Sequence, residues 1–397
     1  MNKIIDLGMH PFADTFINKD QLDMSEPVYP LECFLNKNTG EIKVGVRTEA
    51  HGRYVAYNYS YTSANSKFSR DHWINFAKKV NEKLNLLKNS YGSQLNVVEI
   101  GSNDGFLTKQ FKDMGYRVLG VDPSPYISDL ALELGVKTHC DFFGYETSRH
   151  IEKDFGQADL IIANNVFNHT NDIEDFTKGV VNLLKSDGTF VFELPYWYNT
   201  IKDQKFDQIY HEHVTYFTVK FSYELLKKHG LEIIDVDVVN YHGGSLRVFA
   251  KKKDEVNLRP YIKNMIDEEE DFGLFDENTY KKFMQDLYQK RNIFLKNIYR
   301  IKSEGHPIIG IGAAAKGNTL LNFYNLDSSV LDYITDSSDH KKGKYTPLTR
   351  IPIVGDEIFA EYDDVYALIL SWNISDIIKD NLKNINKKIK FLECKPI

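Results

Sequence analysis

Apolar positions change their spacing along the chain, and the changes divide it. Residues 1–70 hold no sustained helical period and are rich in Pro, Gly, Asn and Tyr, which predicts a small N-terminal strand/loop module. From Asp71, DHWINFAKKVNEKLNLLK places apolar residues three and four apart and predicts a helix. LNVVEIG then reads as a buried strand, FLTKQFKDM as a helix, YRVLGVD as a strand and PYISDLALELG as a helix. DLIIANN and GTFVFELP are further strands, with a helix across IEDFTKGVVNLLK between them. Strands alternating with helices predict an α/β fold with a parallel, doubly wound sheet. A polar and aromatic insertion runs from Tyr196 to Phe217, followed by the helix YELLKKHG. LEIIDVDVVN and SLRVFAKK alternate as a closing antiparallel pair. Residues 254–304 form a charged helical connector. HPIIGIG, VLDYITD, DDVYALILSW and KKIKFLE then mark the strands of a second α/β unit over residues 305–397, with KGNTLLNFYN as a helix.

Bulk composition narrows the setting. The 397 residues are 42% hydrophobic and 26% charged, an ordinary globular balance with material for more than one core. A formal net charge of -7 carries no nucleic-acid footprint. Cys33, Cys140 and Cys394 stand far apart, against a disulfide framework or thiolate metal site. No stretch has the length of a membrane span and no signal-peptide apolar region opens the chain, so the expectation is a cytoplasmic protein with no membrane partner.

The sharpest chemical signal is VVEIGSNDGF. Glu99 ends a strand, Gly101 and Gly105 frame the turn before a helix, and Asn103 and Asp104 lie between them. The spacing G-x-x-x-G differs from the dinucleotide G-x-G-x-x-G, and a carboxylate in the turn suits a cation better than a pyrophosphate. The ammonium and sulfonium of S-adenosylmethionine meet that requirement. Asp122, followed by Pro123, closes the next strand, where an acid can accept bonds from ribose hydroxyls. Asn164 falls at the same sheet edge, at the end of DLIIANN.

FDQIYHEHVTYF sets His211 and His213 about Glu212, with Tyr210 before them. Three readings stand side by side: a metal pair, structural histidines, or an acid/base set. His169, in NNVFNHTND, is a second candidate near the transferred methyl. The turn YHGGSLR offers His242, Ser245 and Arg247 as ligand donors, or is a plain hairpin.

GIGAAAKGNT is a second glycine turn. It matches the dinucleotide pattern G-x-G-x-x-A, with Asp336 about where a ribose acid falls, so an NAD-dependent oxidoreductase fits this piece taken alone. The diphosphate of a nucleotide-sugar fits the same helix start, with Lys316 adding charge.

DLGMHPFADTF, the Y-x-Y-x-S of Tyr59, Tyr61 and Ser63, VVEIGSNDGFL, FDQIYHEHVTYF, HGGSLRVF and GIGAAAKGNTLLNF occur in order, and together the chain resembles the sugar C-methyltransferases of deoxysugar pathways. The resemblance implies a class I, Rossmann-like methyltransferase domain (residues 71–253) between the N-terminal module and a C-terminal doubly wound α/β domain that helps hold the nucleotide-sugar. It implies S-adenosylmethionine against Glu99, Gly101, Asn103, Asp104, Gly105, Asp122, Pro123 and Asn164. Tyr210, Glu212 and His213 match the active-site segment, with His213 the favoured base and His169 and Tyr61 completing the pocket. Lys316 and Asn318 would contact the nucleotide-sugar, and Tyr59, Tyr196, His242, Ser245, Arg247 and Asp336 are further candidates for that substrate. Members of the family usually bind zinc through four cysteines in the N-terminal module. Here Asn36 and Thr39 stand at the places of the second pair, so no zinc is expected. The implied reaction is methylation at carbon 3 of a 4-keto-6-deoxy sugar on a dTDP- or GDP-type carrier. O-methylation of a nucleotide-linked sugar is the alternative, and a non-catalytic nucleotide-sugar binder the third. No oligomeric state follows from the sequence.

Overall fold

The computed structural model of the chain describes residues 1–46, 48–49, 62–64, 66–84, 94–241 and 243–393. Of the sequence candidates, Tyr59, Tyr61 and His242 lie outside the described residues.

The N-terminal sheet starts with β1 (Asn2–His10), β2 (Tyr29–Asn36) and β3 (Glu41–Val44), paired antiparallel in that order. In β2 the side chains alternate, with Leu31, Cys33 and Leu35 buried and their neighbours part-exposed, as a half-buried strand requires. The helix α1 (Lys67–Leu84) buries Trp73, Phe76, Ala77 and Val80, a stripe at i, i+3, i+4 and i+7.

The central domain winds through β4 (Asn96–Ile100), α2 (Phe106–Asp113), β5 (Arg117–Val121), α3 (Pro125–Glu133), β6 (Thr138–His139), α4 (Tyr145–Phe155), β7 (Ala158–Ile162), α5 (Ile173–Leu183) and β8 (Leu184–Pro195). Its strands are largely apolar at their centres because helices cover both faces, and Leu160, Ile161 and Ile162 are all fully buried. The sequence pattern predicted no element at β6 or α4. β6 has two residues at the sheet edge, and α4 buries Thr147, Ser148 and Ile151, a face with one aliphatic residue.

The insertion after β8 holds α6 (Trp197–Lys202), a 3-10 turn at Phe206–Gln208 and β9 (Thr215–Tyr216). β9 pairs with β3 and becomes the fourth strand of the N-terminal sheet. Then come α7 (Val219–Lys228), β10 (Leu231–Val239) and β11 (Ser245–Lys252). The central sheet has the order β10-β11-β8-β7-β4-β5-β6, with β11 alone antiparallel to its neighbours.

Two helices, α8 (Pro260–Asp271) and α9 (Glu277–Ser303), lead to the last domain. It contains β12 (Ile308–Ile311), α10 (Ala315–Tyr324), β13 (Tyr333–Thr335), β14 (Ile353–Val354), β15 (Tyr366–Ile369), α11 (Ser375–Ile385) and β16 (Lys390–Glu393). Its sheet is parallel, in the order β14-β13-β12-β15-β16. One apolar core runs from Leu31 and Cys33 of the N-terminal sheet through Trp197 and Tyr280 to Leu321 and Ile334. The N-terminal module is therefore packed into a core it shares with the last domain. Among the described residues no helix is long and apolar enough to cross a membrane.

Candidate active site

The carboxyl ends of β4, β5 and β7 meet at the first glycine turn. Gly101 has φ +68, and a Cβ there would lie 2.7 Å from Cβ of Val166, so only glycine lets this turn close against the loop after β7. Asp122, at the exit of β5 beside the part-exposed Pro123, accepts the Asn103 amide at 3.1 Å and the Ser124 amide at 3.0 Å. Glu99, nearly fully buried, accepts the hydroxyl of Thr108. Asp104 is tied differently: it takes the Ser63 hydroxyl at 2.6 Å and the Ala64 amide at 3.1 Å, while Asn103 takes the Ser63 amide at 2.8 Å. Asp104 thereby ties the 62–64 segment to the turn.

Glu99, Asp104 and Asp122 thus place three carboxyl groups in one turn. Burial pushes the Glu99 carboxyl up to about 8, with Asp104 and Asp122 adding repulsion. Burial likewise raises Asp122 to about 6, with Asp104 adding to it. A cation entering the turn relieves both penalties. The Asn164 side chain, buried at the end of β7, has no hydrogen-bond partner for either polar atom among the described residues. An orphaned amide beside an acidic turn fits an adenosyl ligand with a cationic amino-acid end.

The proton held on Glu99 has a consequence for stability. Its folded value lies above the unfolded 4.5, so the folded chain keeps a proton that the unfolded chain releases. Stability from this group falls as pH rises from about 4.5 to about 8. The ligand-free melting temperature of the wild type should drop more steeply over that range than that of Glu99→Gln. Parallel curves would refute the assignment.

The insertion supplies the second half of the site. His213 Nδ1 lies 2.9 Å from the carbonyl of Gln208, which can only accept, so Nδ1 carries the proton. Nε2 is then a lone pair, and the Tyr210 hydroxyl donates to it at 2.6 Å. Burial holds the imidazolium of His213 down to about 3, the Gln208 carbonyl opposing and the charge of Lys316 assisting. His169, on the loop that begins with Asn164, brings its ring centroid within 5.1 Å of that of His213. The sequence candidates Tyr210, His213, His169 and Asn164 are therefore gathered at one sheet edge.

The H-E-H segment divides its labour. His211 stands against Phe12 and Tyr29 and bonds the Pro30 carbonyl at 3.2 Å. Glu212 accepts the amides of Ala13 at 3.1 Å and Asp14 at 3.3 Å. Both contact the N-terminal module, Glu212 through Oε1.

Several expected substrate contacts belong to the framework instead. The buried Tyr196 gives its hydroxyl to Glu269 at 2.9 Å, and Glu269 also caps the amide of Val219 at the start of α7. Ser245 is fully buried and donates to the Tyr241 carbonyl at 3.0 Å, closing the hairpin. Arg247 is buried against Glu193, with Nη2 at 2.6 Å. Asn318 is buried and donates to the Ala13 carbonyl at 2.6 Å. Asp336 turns back on its own glycine turn, accepting the Ala313 amide at 2.9 Å and the Ser338 amide at 2.8 Å. A Cβ on Gly312, at φ +94, would lie 1.9 Å from Ser371 Oγ, so only glycine fits this turn. Sequence reasoning gave no role to Asp207, which lies within FDQIYHEHVTYF, or to Trp372, at the end of DDVYALILSW. Trp372 Nε1 donates to Asp207 Oδ2 at 2.5 Å across the domain boundary.

The strand order, with one reversed strand beside a parallel core, and the acidic glycine turn define a class I S-adenosylmethionine-dependent methyltransferase. Residues 71–236 match the methyltransferase domain model, and residues 240–393 match that of the C-methyltransferase C-terminal domain. The chain is 30% identical to the C-methyltransferase NovU of Streptomyces niveus over 96% of its own length and 89% of the relative's. It belongs to that family of S-adenosylmethionine-dependent C-methyltransferases. The malonyl-[acyl-carrier protein] O-methyltransferase of Acetivibrio thermocellus is 26% identical over 38% of this chain and 48% of its own. Among solved structures, the magnesium protoporphyrin IX methyltransferase of Synechocystis with bound SAM covers 49% of this chain and 88% of its own, at 13% identity and a TM-score of 0.36.

Proposed function

We propose that the protein methylates carbon 3 of a 4-keto-6-deoxy sugar carried on a nucleoside diphosphate. The observation that supports this most is the Tyr210–His213 pair beside the loop of Asn164 and His169. Carbon 3 of such a sugar lies next to a ketone, and its proton is acidic enough for a positioned base. In the resting state Nε2 of His213 already holds the Tyr210 hydroxyl, so the expected direct attack by His213 becomes a relay. The carbon 3 proton moves to the Tyr210 oxygen while the hydroxyl proton moves to Nε2. The C–H electron pair becomes the C3–C4 double bond, and the ketone oxygen takes the charge. Glu99, Asp122 and Asn164 would hold S-adenosylmethionine, which supplies an electrophilic methyl group when bound. The chain's contribution to transfer is to align the two partners and exclude water. Net reaction replaces one C–H by C–CH3 and releases the proton through His213.

The test is solvent exchange. With S-adenosylhomocysteine in D2O, the enzyme should wash deuterium into carbon 3 of the ketosugar, and with S-adenosylmethionine the product should carry a C-methyl branch. A methyl ether without exchange would overturn the reading in favour of O-methylation.

A further inference from the structure

Resting on the reading above, we propose that Lys316, supplied by the C-terminal domain, is the cation that meets the ketone oxygen of the sugar and holds the enolate as it forms. The sequence pointed this lysine at a diphosphate. The structure gives it another neighbourhood.

Lys316 lies in the first turn of α10, which packs against the Phe206–Gln208 turn, with Phe206 and Phe323 ring centroids 4.9 Å apart. That turn carries the carbonyl that orients His213. A second tie fixes the helix to the catalytic segment: Ala13 gives its amide to Glu212 and its carbonyl to Asn318. Glu212 precedes His213 and Asn318 follows Lys316 by two residues. The lysine and the base are therefore locked in one frame through Ala13.

Lys316 Nζ is sealed from solvent and has no hydrogen-bond partner among the described residues. It stands 5.9 Å from the centroid of Trp372, whose indole N–H is turned to the buried Asp207. A buried ammonium without a bonded acceptor is costly unless an acceptor arrives. Burial lowers the lysine to about 8, Asp207 opposing and Lys205 assisting. It therefore remains mainly charged at neutral pH. Its charge is one cause of the depressed imidazolium of His213.

Two groups near this corner are engaged within the fold, the Ala313 amide on Asp336 and the Lys341 Nζ on the Ala313 carbonyl at 2.5 Å, whereas Lys316 Nζ is buried with no acceptor among the described residues. A ketone oxygen asks for one donor. It gains most from it as charge develops, when the carbon 3 proton leaves through Tyr210 and the C=O π pair settles on oxygen.

The experiment compares wild type with Lys316→Met and Lys316→Arg. Calorimetry with dTDP, UDP, GDP and pyrophosphate reads the phosphate role. Deuterium wash-in at carbon 3 and methyl transfer at saturating ketosugar read the enolate role. Lys316→Met should lose exchange and transfer together by about 100-fold or more while nucleotide affinity stays within about threefold, and Lys316→Arg should recover part of the rate. Unchanged S-adenosylmethionine affinity will show that the variants are folded. Nucleotide binding weakened about tenfold or more with exchange intact would overturn the proposal and return Lys316 to the diphosphate. If wild type itself neither binds any of the nucleotides nor exchanges any ketosugar, the C-methylation reading fails first and the lysine's role falls with it.

Discussion

Tyr210→Phe should abolish nearly all deuterium exchange and methyl transfer, a loss of about 100- to 10,000-fold, matching His213→Gln. The prediction follows from one geometric fact: the lone pair on Nε2 is occupied by the Tyr210 hydroxyl at 2.6 Å. If His213 removed the proton directly, Tyr210→Phe would uncover that lone pair and the rate would hold or rise. The two variants should also be non-additive, because they break one relay. A pH signature accompanies them. The imidazolium is held near 3 by burial, so kcat at saturating S-adenosylmethionine should not fall as pH drops through 6.5, the ordinary histidine value. A limb at 6.5 that disappears in His213→Gln would show instead that His213 titrates at the ordinary histidine value and is not held down by burial.

Arg247→Met should destabilise the fold by about 3–5 kcal/mol, a fall in melting temperature on the order of 10 °C. Both Nε and Nη2 of Arg247 bond Glu193 Oε2, at 2.8 and 2.6 Å, and the guanidinium lies 4.6 Å from the Phe76 ring centroid. Glu193 is fully buried, so removing the arginine leaves a carboxylate whose remaining side-chain partner among the described residues is His72, 2.7 Å away on the other oxygen. Arg247→Met with Glu193→Gln should recover most of the loss, because the pair is removed together. Equilibrium denaturation of the four proteins measures this. A single variant of wild-type stability but weakened nucleotide binding would restore the ligand role that the hairpin motif suggested.

What the sequence alone determined was the order of the layers and the acidic glycine turn at the end of the first central strand. Buried strands such as Asn96–Ile100 and Ala158–Ile162 announce themselves by their mostly apolar residues, because both their faces are covered. Glu99, Gly101 and Asp122 are local to strand ends, so spacing along the chain is enough to bring them together. Elements with little to bury stayed silent, namely the two-residue β6 and the mostly polar inner face of α4. The partners of polar side chains were also beyond reach. Arg247, Asn318, Tyr196 and Asp336 look like ligand donors in one dimension, and each finds a buried partner at long or medium range. The same holds for H-E-H, whose members are adjacent in sequence yet face Pro30, Ala13 and Tyr210 respectively. A hydrogen bond is a statement about distance and direction, and those are set by how three domains close on one another.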